Sequence, residues 1–245
     1  MRLTRIYHPH RLTEGADTSL EDTASTHLLR VLRLRAGAEL RLFDGSGAEF
    51  ETTLTGTAGG RAQVRVGRRH ARDVESPLAI TLAQGISRGE RMDLTLQKSV
   101  ELGVQRIVPV VTAHTQVKLS GERLERRHQH WQGVIVSACE QCGRTRLPEL
   151  LPVVTLDRWL ENPEPGSQRL VLDHRAERNL RSLPQPAEAV TLLIGPEGGL
   201  EEKEIAAAEQ RAGYVPLALG PRILRTETAG LAALAALQTL WGDMG

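Results

Sequence analysis

The chain has 245 residues, a formal net charge of +1 from 31 Lys and Arg against 30 Asp and Glu, and an aromatic content of only 3%. A chain of this length forms one or two domains and buries a core large enough to need no disulfide or metal. Near-neutral charge excludes a uniformly basic nucleic-acid binder, and the scarcity of aromatics excludes a single-strand platform of stacked rings.

The charge is divided unevenly along the chain. Residues 1–72 carry 12 Arg against 8 acidic residues, a net charge of +4, whereas the rest carries 19 basic and 22 acidic residues, a net charge of −3. We therefore expect two domains of different character, 1–72 and 73–245. A basic N-terminal domain suits recognition of phosphate, because guanidinium groups bind phosphate oxygens in pairs.

Residues 1–72 are predicted to form a small β-rich module with one helix. Apolar residues at helical spacing predict a helix from about Glu21 to Arg33, which ends at Ala36-Gly37 as a C-cap would end it. Alternating apolar and polar residues predict three strands, at Glu39–Asp44, Ala48–Leu54 and Arg61–Val66. The arginines of the last strand could face phosphate or could form a solvated face.

From Pro77 onward, apolar strands alternate with helices, which predicts a mainly parallel sheet covered on both faces. The predicted strands are Leu78–Gln84, Arg106–Val111, Arg169–Leu172, Val190–Ile194 and Val215–Leu219. One predicted helix follows the first strand and ends at Leu102, and three more span Gly121–Cys142, Glu201–Ala212 and Glu227–Trp241. In such sheets ligands bind outside the carboxyl ends of the strands.

The absence of a secretory signal and of a long apolar segment predicts a cytoplasmic protein. The N-terminus lacks the apolar core of a secretory signal, and no run of 18 apolar residues occurs. The two cysteines, Cys139 and Cys142, form a C-x-x-C pair without a second pair at zinc-ribbon spacing. We expect no metal, and we interpret the pair as two residues one turn apart on a partly buried helix face; redox use is the alternative.

A glycine-containing loop, Leu193–Gly199, follows a predicted strand. Its glycine spacing matches neither the dinucleotide fingerprint nor the P-loop. Glu197 and the acidic first turn of the next helix would repel a phosphate and tolerate a ligand with a positive centre. Gly195, Gly198 and Gly199 indicate a backbone that approaches something closely or adopts positive φ.

A second loop, Leu217–Ala229, leads into the last helix. Thr226 fits the N-cap of that helix. Arg222 and Arg225 lie between the strand end and the helix start, which is typical of a site that joins a small ligand to an anionic substrate. The helix itself, Glu227–Trp241, is apolar nearly all round, so we expect it in the core or in a subunit interface.

These two loops resemble the RsmE family of small-subunit ribosomal RNA methyltransferases. The resemblance covers nearly the whole chain, without a departure at the positions that the family pattern needs. The blocks that carry it are Ile194-Gly-Pro-Glu-Gly-Gly199, Leu219-Gly-Pro-Arg-Ile-Leu-Arg-Thr-Glu-Thr-Ala229, Arg5-Ile-Tyr7, His27-Leu-Leu-Arg-Val-Leu-Arg33, Leu42-Phe-Asp-Gly45, Ser87-Arg-Gly-Glu-Arg-Met92, Gln97-Lys-Ser-Val-Glu-Leu-Gly103, Cys139-Glu-Gln-Cys-Gly-Arg144 and Trp241-Gly-Asp243.

The resemblance implies an α/β protein with a PUA-like, β-barrel RNA-binding domain at 1–72 and a SPOUT domain at 73–245, whose last segment threads a trefoil knot. It implies S-adenosylmethionine as cofactor, a homodimer, and methyl transfer to uracil N3 of one uridine in 16S rRNA, as naked rRNA or in the assembled small subunit. The cofactor-binding residues that it implies are Leu172, His174, Leu193, Ile194, Gly195, Pro196, Glu197, Gly198, Gly199, Leu217, Leu219, Gly220, Arg222, Ile223, Leu224, Arg225, Thr226, Thr228 and Ala229.

Methylation at N3 sets requirements for the catalytic residues. N3 lies on the Watson–Crick edge, so the base must be unpaired or flipped, and its N–H must lose a proton. From loop position and charge we expect Arg225 to stabilise charge on the uracil oxygens and Glu227 or Glu140 to accept the proton. The basic residues expected to contact RNA are Arg5, Arg30, Arg33, Arg88, Lys98 and Arg144.

Three other functions compete with this interpretation. A ribose 2′-O-methyltransferase of the same superfamily carries a Ser-Leu-Asn motif where this chain has Thr226-Glu-Thr228. A non-enzymatic RNA-binding assembly factor would not bind the cofactor. A C-x-x-C redox protein would lose activity on replacement of either cysteine by serine, whereas a methyltransferase would be little affected.

Overall fold

The computed structural model describes residues 3–117, 120–186 and 189–245, and the chain divides into two compact units. The first unit comprises Met1–Glu75 together with Val136–Leu147, and the second comprises Ser76–Ile135 and Pro148–Gly245. The sequence analysis placed the boundary at residue 72 and did not anticipate that a later segment belongs to the first unit. No described helix is long and apolar enough to cross a membrane.

The first unit is built on a five-stranded sheet in the order β1-β3-β4-β5-β2, in which β1 and β3 are parallel and the other neighbours are antiparallel. The three predicted strands are present, two of them longer than expected, and two three-residue strands were missed. The elements are β1 (Arg5–Tyr7), β2 (Asp17–Ser19), α1 (Asp22–Thr26), β3 (Glu39–Phe43), β4 (Ala48–Ala58) and β5 (Arg61–Ala71).

The predicted helix of the first unit is irregular. After α1 the chain continues as a π-helical turn, His27–Val31, in which the Leu32 N–H donates to the His27 carbonyl over 2.9 Å. Arg33, two residues after the end of this turn, has φ +54°, a left-handed conformation that L-residues rarely adopt. The turn buries Leu28 completely in the core of the unit, while Val31 is 65% exposed.

The second unit contains a seven-stranded sheet in which every described pair of neighbours is parallel, as predicted. The strand order is β12-β10-β11-β6-β7-β8, with β9 also paired to β7. The remaining elements of the chain lie in this unit, except that α3 continues from Ile135 into the first unit. They are β6 (Ala79–Gly85), α2 (Glu90–Glu101), β7 (Arg106–Val111), α3 (Glu122–Cys142), β8 (Glu149–Leu150), β9 (Val154–Thr155), α4 (Leu156–Glu161), β10 (Ser167–Leu172), β11 (Ala189–Ile194), α5 (Glu202–Ala212), β12 (Val215–Leu217) and α6 (Thr226–Trp241).

Helices cover both faces of this sheet. On one face Ala83 and Leu193 pack in one apolar cluster with residues of α4 and α5. Because side chains alternate along a strand, Ile194 points to the opposite face, and there its Cδ1 lies 3.2 Å from where a Cβ on Gly230 of α6 would be. α6 in turn packs against α2. These two contacts account for the buried apolar residues of α6, such as Leu234 and Leu237, whereas Leu240 is exposed.

Candidate active site

A cavity of about 240 Å³ opens at the carboxyl ends of three parallel strands of the second unit, β10, β11 and β12, and at the start of α6. This is the edge where ligands bind in open α/β sheets. The lining residues are Leu172, Asp173, His174, Ile194, Gly195, Pro196, Glu197, Gly198, Gly199, Leu200, Leu217, Leu219, Gly220, Arg222, Ile223, Leu224, Thr226 and Ala229.

Most of the predicted cofactor residues line this cavity. Three do not: Leu193, Arg225 and Thr228. Leu193 is fully buried and belongs to the apolar cluster on the opposite side of its strand, while Arg225 and Thr228 are exposed to solvent. Two lining residues, Asp173 and Leu200, were not predicted, although each is a chain neighbour of a residue that was.

Close approaches explain three of the glycines at or near the cavity, while Gly199 and Gly220 have positive φ values of +72° and +81°. A Cβ on Gly195 would lie 2.7 Å from the carbonyl carbon of Gly199, and a Cβ on Gly198 would lie 2.8 Å from the Cβ of His114. A Cβ on Gly85, at the end of β6, would lie 2.5 Å from the backbone nitrogen of Pro196. A real Cβ atom is not found at such short distances, so only glycine, which has no Cβ, fits these positions.

A buried polar cluster ties the glycine loop to the start of α6. The Thr226 hydroxyl donates to the Gly195 carbonyl over 2.6 Å and accepts from Nε2 of Gln84 over 3.1 Å. The predicted role of Thr226 as N-cap is therefore wrong: the N-cap is Arg225, and Thr226 is the first helical residue. Its hydroxyl serves a tertiary hydrogen bond because the loop carbonyl needs a buried partner.

The Glu197 carboxylate is held by the start of α2. Its Oε1 accepts from the backbone N–H of Arg88 over 2.9 Å and from Nη1 of Arg91 over 3.1 Å. Burial alone would raise the pKa of Glu197, but these hydrogen bonds outweigh it and hold the pKa below its ordinary value. Arg91 was not singled out as a site residue, although it lies in the Ser87–Met92 block that carries the family resemblance.

Glu227 lies one residue beyond Thr226, in the first turn of α6. Its side chain is 14% exposed, and its Oε1 lies 4.0 Å from Nε of Arg91. The other oxygen, Oε2, is buried and has no hydrogen-bond partner among the described residues. Glu227 itself does not line the cavity, but its chain neighbour Thr226 does, and Oε2 is an acceptor with unused lone pairs.

His114 is a second residue that the sequence analysis missed. It follows β7, and its Nδ1 lies 2.8 Å from the carbonyl oxygen of Gly198 while its Nε2 lies 3.6 Å from Glu201. It braces the glycine loop from a part of the chain more than eighty residues away. No motif around His114 distinguishes it from other histidines, so only the fold reveals this contact.

Comparisons with known proteins agree over the whole chain. Residues 74–238 match a family model described as an RNA methyltransferase domain, and residues 20–67 match one described as an RNA methyltransferase PUA domain. A protein of Buchnera aphidicola called ribosomal RNA small subunit methyltransferase E is 33% identical over 243 residues, which are 99% of this chain and 98% of that relative. The chain belongs to the ribosomal RNA small subunit methyltransferase E family.

Two solved structures resemble this family member closely. A ribosomal RNA small subunit methyltransferase E from Neisseria gonorrhoeae, bound to S-adenosyl methionine, is 41% identical with a TM-score of 0.92, and the match covers 100% of both chains. A structure from Legionella pneumophila, in complex with the cofactor SAM, is 40% identical with a TM-score of 0.95, over 99% and 100% of the two chains. The predicted family and the predicted α/β fold, with a PUA-like and a SPOUT-type domain, are thereby confirmed.

Glu140, one of the two carboxylates expected to accept a proton in this methyltransferase, lies in the first unit. Its Oε1 accepts a hydrogen bond from the backbone N–H of Tyr7 over 3.0 Å. Burial raises the pKa of Glu140 above its ordinary value, and that hydrogen bond only partly offsets the shift. The cavity lining, including Thr226, the chain neighbour of Glu227, lies in the second unit, and neither Glu227 nor Glu140 is itself a lining residue.

The six basic residues expected to contact RNA separate into two groups. Arg5 and Arg144 are buried side chains of the first unit: Nη1 of Arg5 donates to the Cys139 carbonyl over 2.7 Å, and Arg144 forms an ion pair with Glu75. Both guanidinium groups therefore already have intramolecular partners. The residues that present their side chains to solvent at least in part are Arg30, Arg33, Arg88 and Lys98.

The cysteine pair lies in the last turns of α3 and forms no disulfide. Cys139 is buried, and burial raises the pKa of its thiol to about 12, whereas a redox-active cysteine needs a lowered thiol pKa. Cys142 is partly exposed. Among the residues that the structure describes, no three His, Cys, Asp or Glu side chains are grouped to hold a metal ion.

Proposed function

We propose that this chain transfers the methyl group of S-adenosylmethionine to N3 of one uridine in 16S rRNA. The observation that carries the proposal is the cavity of the second unit, built from the loops on which the family resemblance rests. The two solved relatives at about 40% identity contain the cofactor. The proposal includes a homodimer acting in the cytoplasm on naked 16S rRNA or the assembled small subunit, and a last segment that threads a trefoil knot.

The chemistry of the cavity suits a cationic cofactor. Its lining contains two carboxylates, Glu197 and Asp173. Burial would raise the pKa of Asp173, but hydrogen bonds from the backbone and guanidinium of Arg175 outweigh burial and hold it below its ordinary value. Both carboxylates are therefore ionised at neutral pH and favour a positive ligand over a polyanion. S-adenosylmethionine supplies an electrophilic methyl group on a positively charged sulfur.

Large side chains are not needed to hold the cofactor, because the loops bring backbone groups close to the cavity. At Gly195 and Gly198 the loop is packed too closely for any side chain, so these two residues line the cavity with backbone atoms alone. Apolar side chains such as Ile194 and Leu224 line the same cavity. A few polar groups among apolar ones is the usual composition of a small-molecule site.

The proton of uracil N3 goes to Glu227 in this proposal. The N3–H bond breaks as Oε2 of Glu227 takes the proton, and the N3 electron pair forms the new bond to the methyl carbon. The carbon–sulfur bond breaks with its electron pair left on sulfur, which leaves S-adenosylhomocysteine and N3-methyluridine. Glu227 is preferred to Glu140 because its Oε2 is buried, unpartnered in the described part of the chain and next to a cavity residue.

Arg225 has the complementary role of stabilising negative charge on the uracil oxygens. It is the N-cap residue of α6, is exposed, and has no ion-pair partner among the described residues. An unpaired guanidinium at the mouth of a site is free to bind a developing oxyanion. Arg222, which lines the cavity, suits the phosphate of the target nucleotide.

The decisive experiment compares Glu227→Gln with Glu140→Gln on 16S rRNA under single-turnover conditions. We expect Glu227→Gln to lose at least a hundredfold in rate with little change in cofactor affinity by calorimetry, because loss of a general base has effects of about this size. Glu140→Gln is expected to keep the wild-type rate. The product is detected by primer extension, because a methyl group on N3 blocks Watson–Crick pairing and a ribose methyl group does not.

Three results would overturn the proposal. A wild-type protein that binds RNA but not S-adenosylmethionine would be an assembly factor. A product whose pairing edge is unmodified would indicate ribose methylation. Wild-type rates in both Glu227→Gln and Arg225→Ala would remove the catalytic assignments while leaving the reaction itself in place.

A further inference from the structure

Arg91 lies between two carboxylates that come from different parts of the chain. Its Nη1 lies 3.1 Å from Oε1 of Glu197, in the glycine loop, and its Nε lies 4.0 Å from Oε1 of Glu227, in α6. Arg91 itself belongs to α2, more than a hundred residues earlier. One side chain thus spans the cofactor loop and the proposed proton acceptor.

This ionic bridge is largely shielded from solvent on its acidic side. The side chains of Glu197 and Glu227 are 25% and 14% exposed, and that of Arg91 is 43% exposed. Among the described residues, Arg91 is the cation that forms an ion pair with Glu227. A carboxylate that is shielded from solvent and has no nearby cation destabilises the fold, so the charge of Arg91 lowers the free-energy cost of placing Glu227 there.

The backbone before Arg91 reinforces the arrangement. The N–H of Arg88 also donates to Oε1 of Glu197, so the glycine loop is attached to the start of α2 at two points. At the same place Gly85 approaches Pro196 so closely that a Cβ would not fit. The loop therefore has little freedom to move relative to the start of α2, from which the Nε of Arg91 lies within ion-pair distance of Glu227.

We propose that Arg91 is a positioning residue for the methyl transfer: its guanidinium holds Glu227 at a set distance from the cofactor loop by binding Glu197 and Glu227 together. The inference rests on the proposed function. A guanidinium suits this role because its Nε and Nη groups point in different directions within one rigid plane, whereas a lysine ammonium is a single point of charge. Lysine at position 91 would hold one carboxylate at a time.

The test compares Arg91→Gln and Arg91→Lys for cofactor affinity by calorimetry and for single-turnover rate at saturating S-adenosylmethionine. We expect Arg91→Gln to lower the rate at least tenfold and to weaken cofactor binding several-fold. Arg91→Lys is expected to restore the affinity but not the rate, a separation that a purely structural role would not produce. Arg126→Gln, which removes an exposed ion pair with Glu122 on α3, is the matched control and should change neither quantity.

The outcomes separate this inference from the function on which it rests. An active wild-type enzyme whose Arg91→Gln variant keeps both rate and affinity overturns the positioning role, and so does an Arg91→Lys variant with the full rate. A wild-type protein that neither binds the cofactor nor methylates RNA overturns the proposed function instead. If Arg91→Gln unfolds, as judged by circular dichroism, the folded Arg91→Lys variant decides the question alone.

Discussion

The hydroxyl of Thr226 donates to the carbonyl oxygen of Gly195 over 2.6 Å, and this buried bond joins the first turn of the last helix to the glycine loop. Thr226→Val keeps the shape and removes the hydroxyl, which leaves the Gly195 carbonyl and Gln84 Nε2 short of a partner. We expect the free energy of unfolding to fall by about 1–3 kcal/mol and cofactor affinity to fall with it.

Urea denaturation and calorimetry measure the two effects of Thr226→Val. Thr239→Val on the same helix is the control, because its hydroxyl donates to the Ala235 carbonyl at an exposed position, and a change within about 0.5 kcal/mol is expected there. Equal effects of the two variants would mean that the bond to Gly195 contributes nothing particular.

Gly195→Ala tests the close approach within the glycine loop. The new Cβ would lie 2.7 Å from the carbonyl carbon of Gly199 and 2.8 Å from the nitrogen of Leu200, so the backbone must move. We expect a loss of about 1–3 kcal/mol in stability and at least tenfold weaker cofactor binding. Gly133→Ala in α3 is the control, because nothing lies within 4 Å of its Cβ, and it should stabilise the helix by up to about 1 kcal/mol.

Arg33 offers a prediction in which stability and RNA binding change in opposite directions. Its φ of +54° costs an L-residue about 1–2 kcal/mol, so Arg33→Gly should leave stability unchanged or raise it by up to about 1 kcal/mol. If Arg33 contacts a phosphate, RNA affinity falls and the slope of log K against log salt decreases by about 1.

Arg33→Asn separates these two effects, because asparagine tolerates the left-handed conformation but carries no charge. Filter binding over a range of salt concentrations measures the slope. An Arg33→Asn variant that binds 16S rRNA with the wild-type affinity and slope would remove Arg33 from the RNA-contacting residues.

Glu140 should make stability depend on pH. Burial raises its pKa in the folded protein, so the folded state binds this proton more tightly than the unfolded state does. The stability that comes from this proton is fully present below the ordinary pKa of a glutamate and is lost as the pH rises through the raised value. Glu140→Gln, which can still accept from the Tyr7 N–H, should therefore be at least as stable as the wild type at pH 7.

Urea midpoints measured from pH 4 to pH 8 check this prediction. The advantage of Glu140→Gln over the wild type should shrink as the pH falls. A variant that is markedly less stable than the wild type at pH 7 would show that ionised Glu140 stabilises the first unit.

The parts of the fold with local patterns were predictable from sequence. Continuous apolar runs such as Arg106–Val111 predicted the parallel strands, and the glycines of Leu193–Gly199 predicted the loop of the cavity. Three-residue strands such as Arg5–Tyr7 have too few residues to show an alternation. The π-helical turn was missed because its residues carry the same apolar spacing as an α-helix.

The site could be predicted only where its residues are neighbours in the chain. Arg91 and His114 reach the glycine loop from α2 and from the end of β7, and no spacing rule connects such distant segments. Glu227 and Glu140 were proposed from loop position and charge alone, and neither lines the cavity, so the choice of proton acceptor stays a prediction. Threonine is a residue type that is favoured at the N-cap, but in the folded chain the Thr226 hydroxyl binds the Gly195 carbonyl instead.

The discontinuous make-up of the first unit affects the order in which the protein can fold during synthesis. Domains usually fold from the N-terminus as the chain emerges. Here the fully buried Cys139 and the carbonyl groups that bind Arg5 lie in Val136–Leu147, so the N-terminal unit stays incomplete until about three fifths of the protein has been made. A fragment that stops at Glu75 would lack part of its own interior, so the first unit cannot be completed before residues 136–147 have been synthesised.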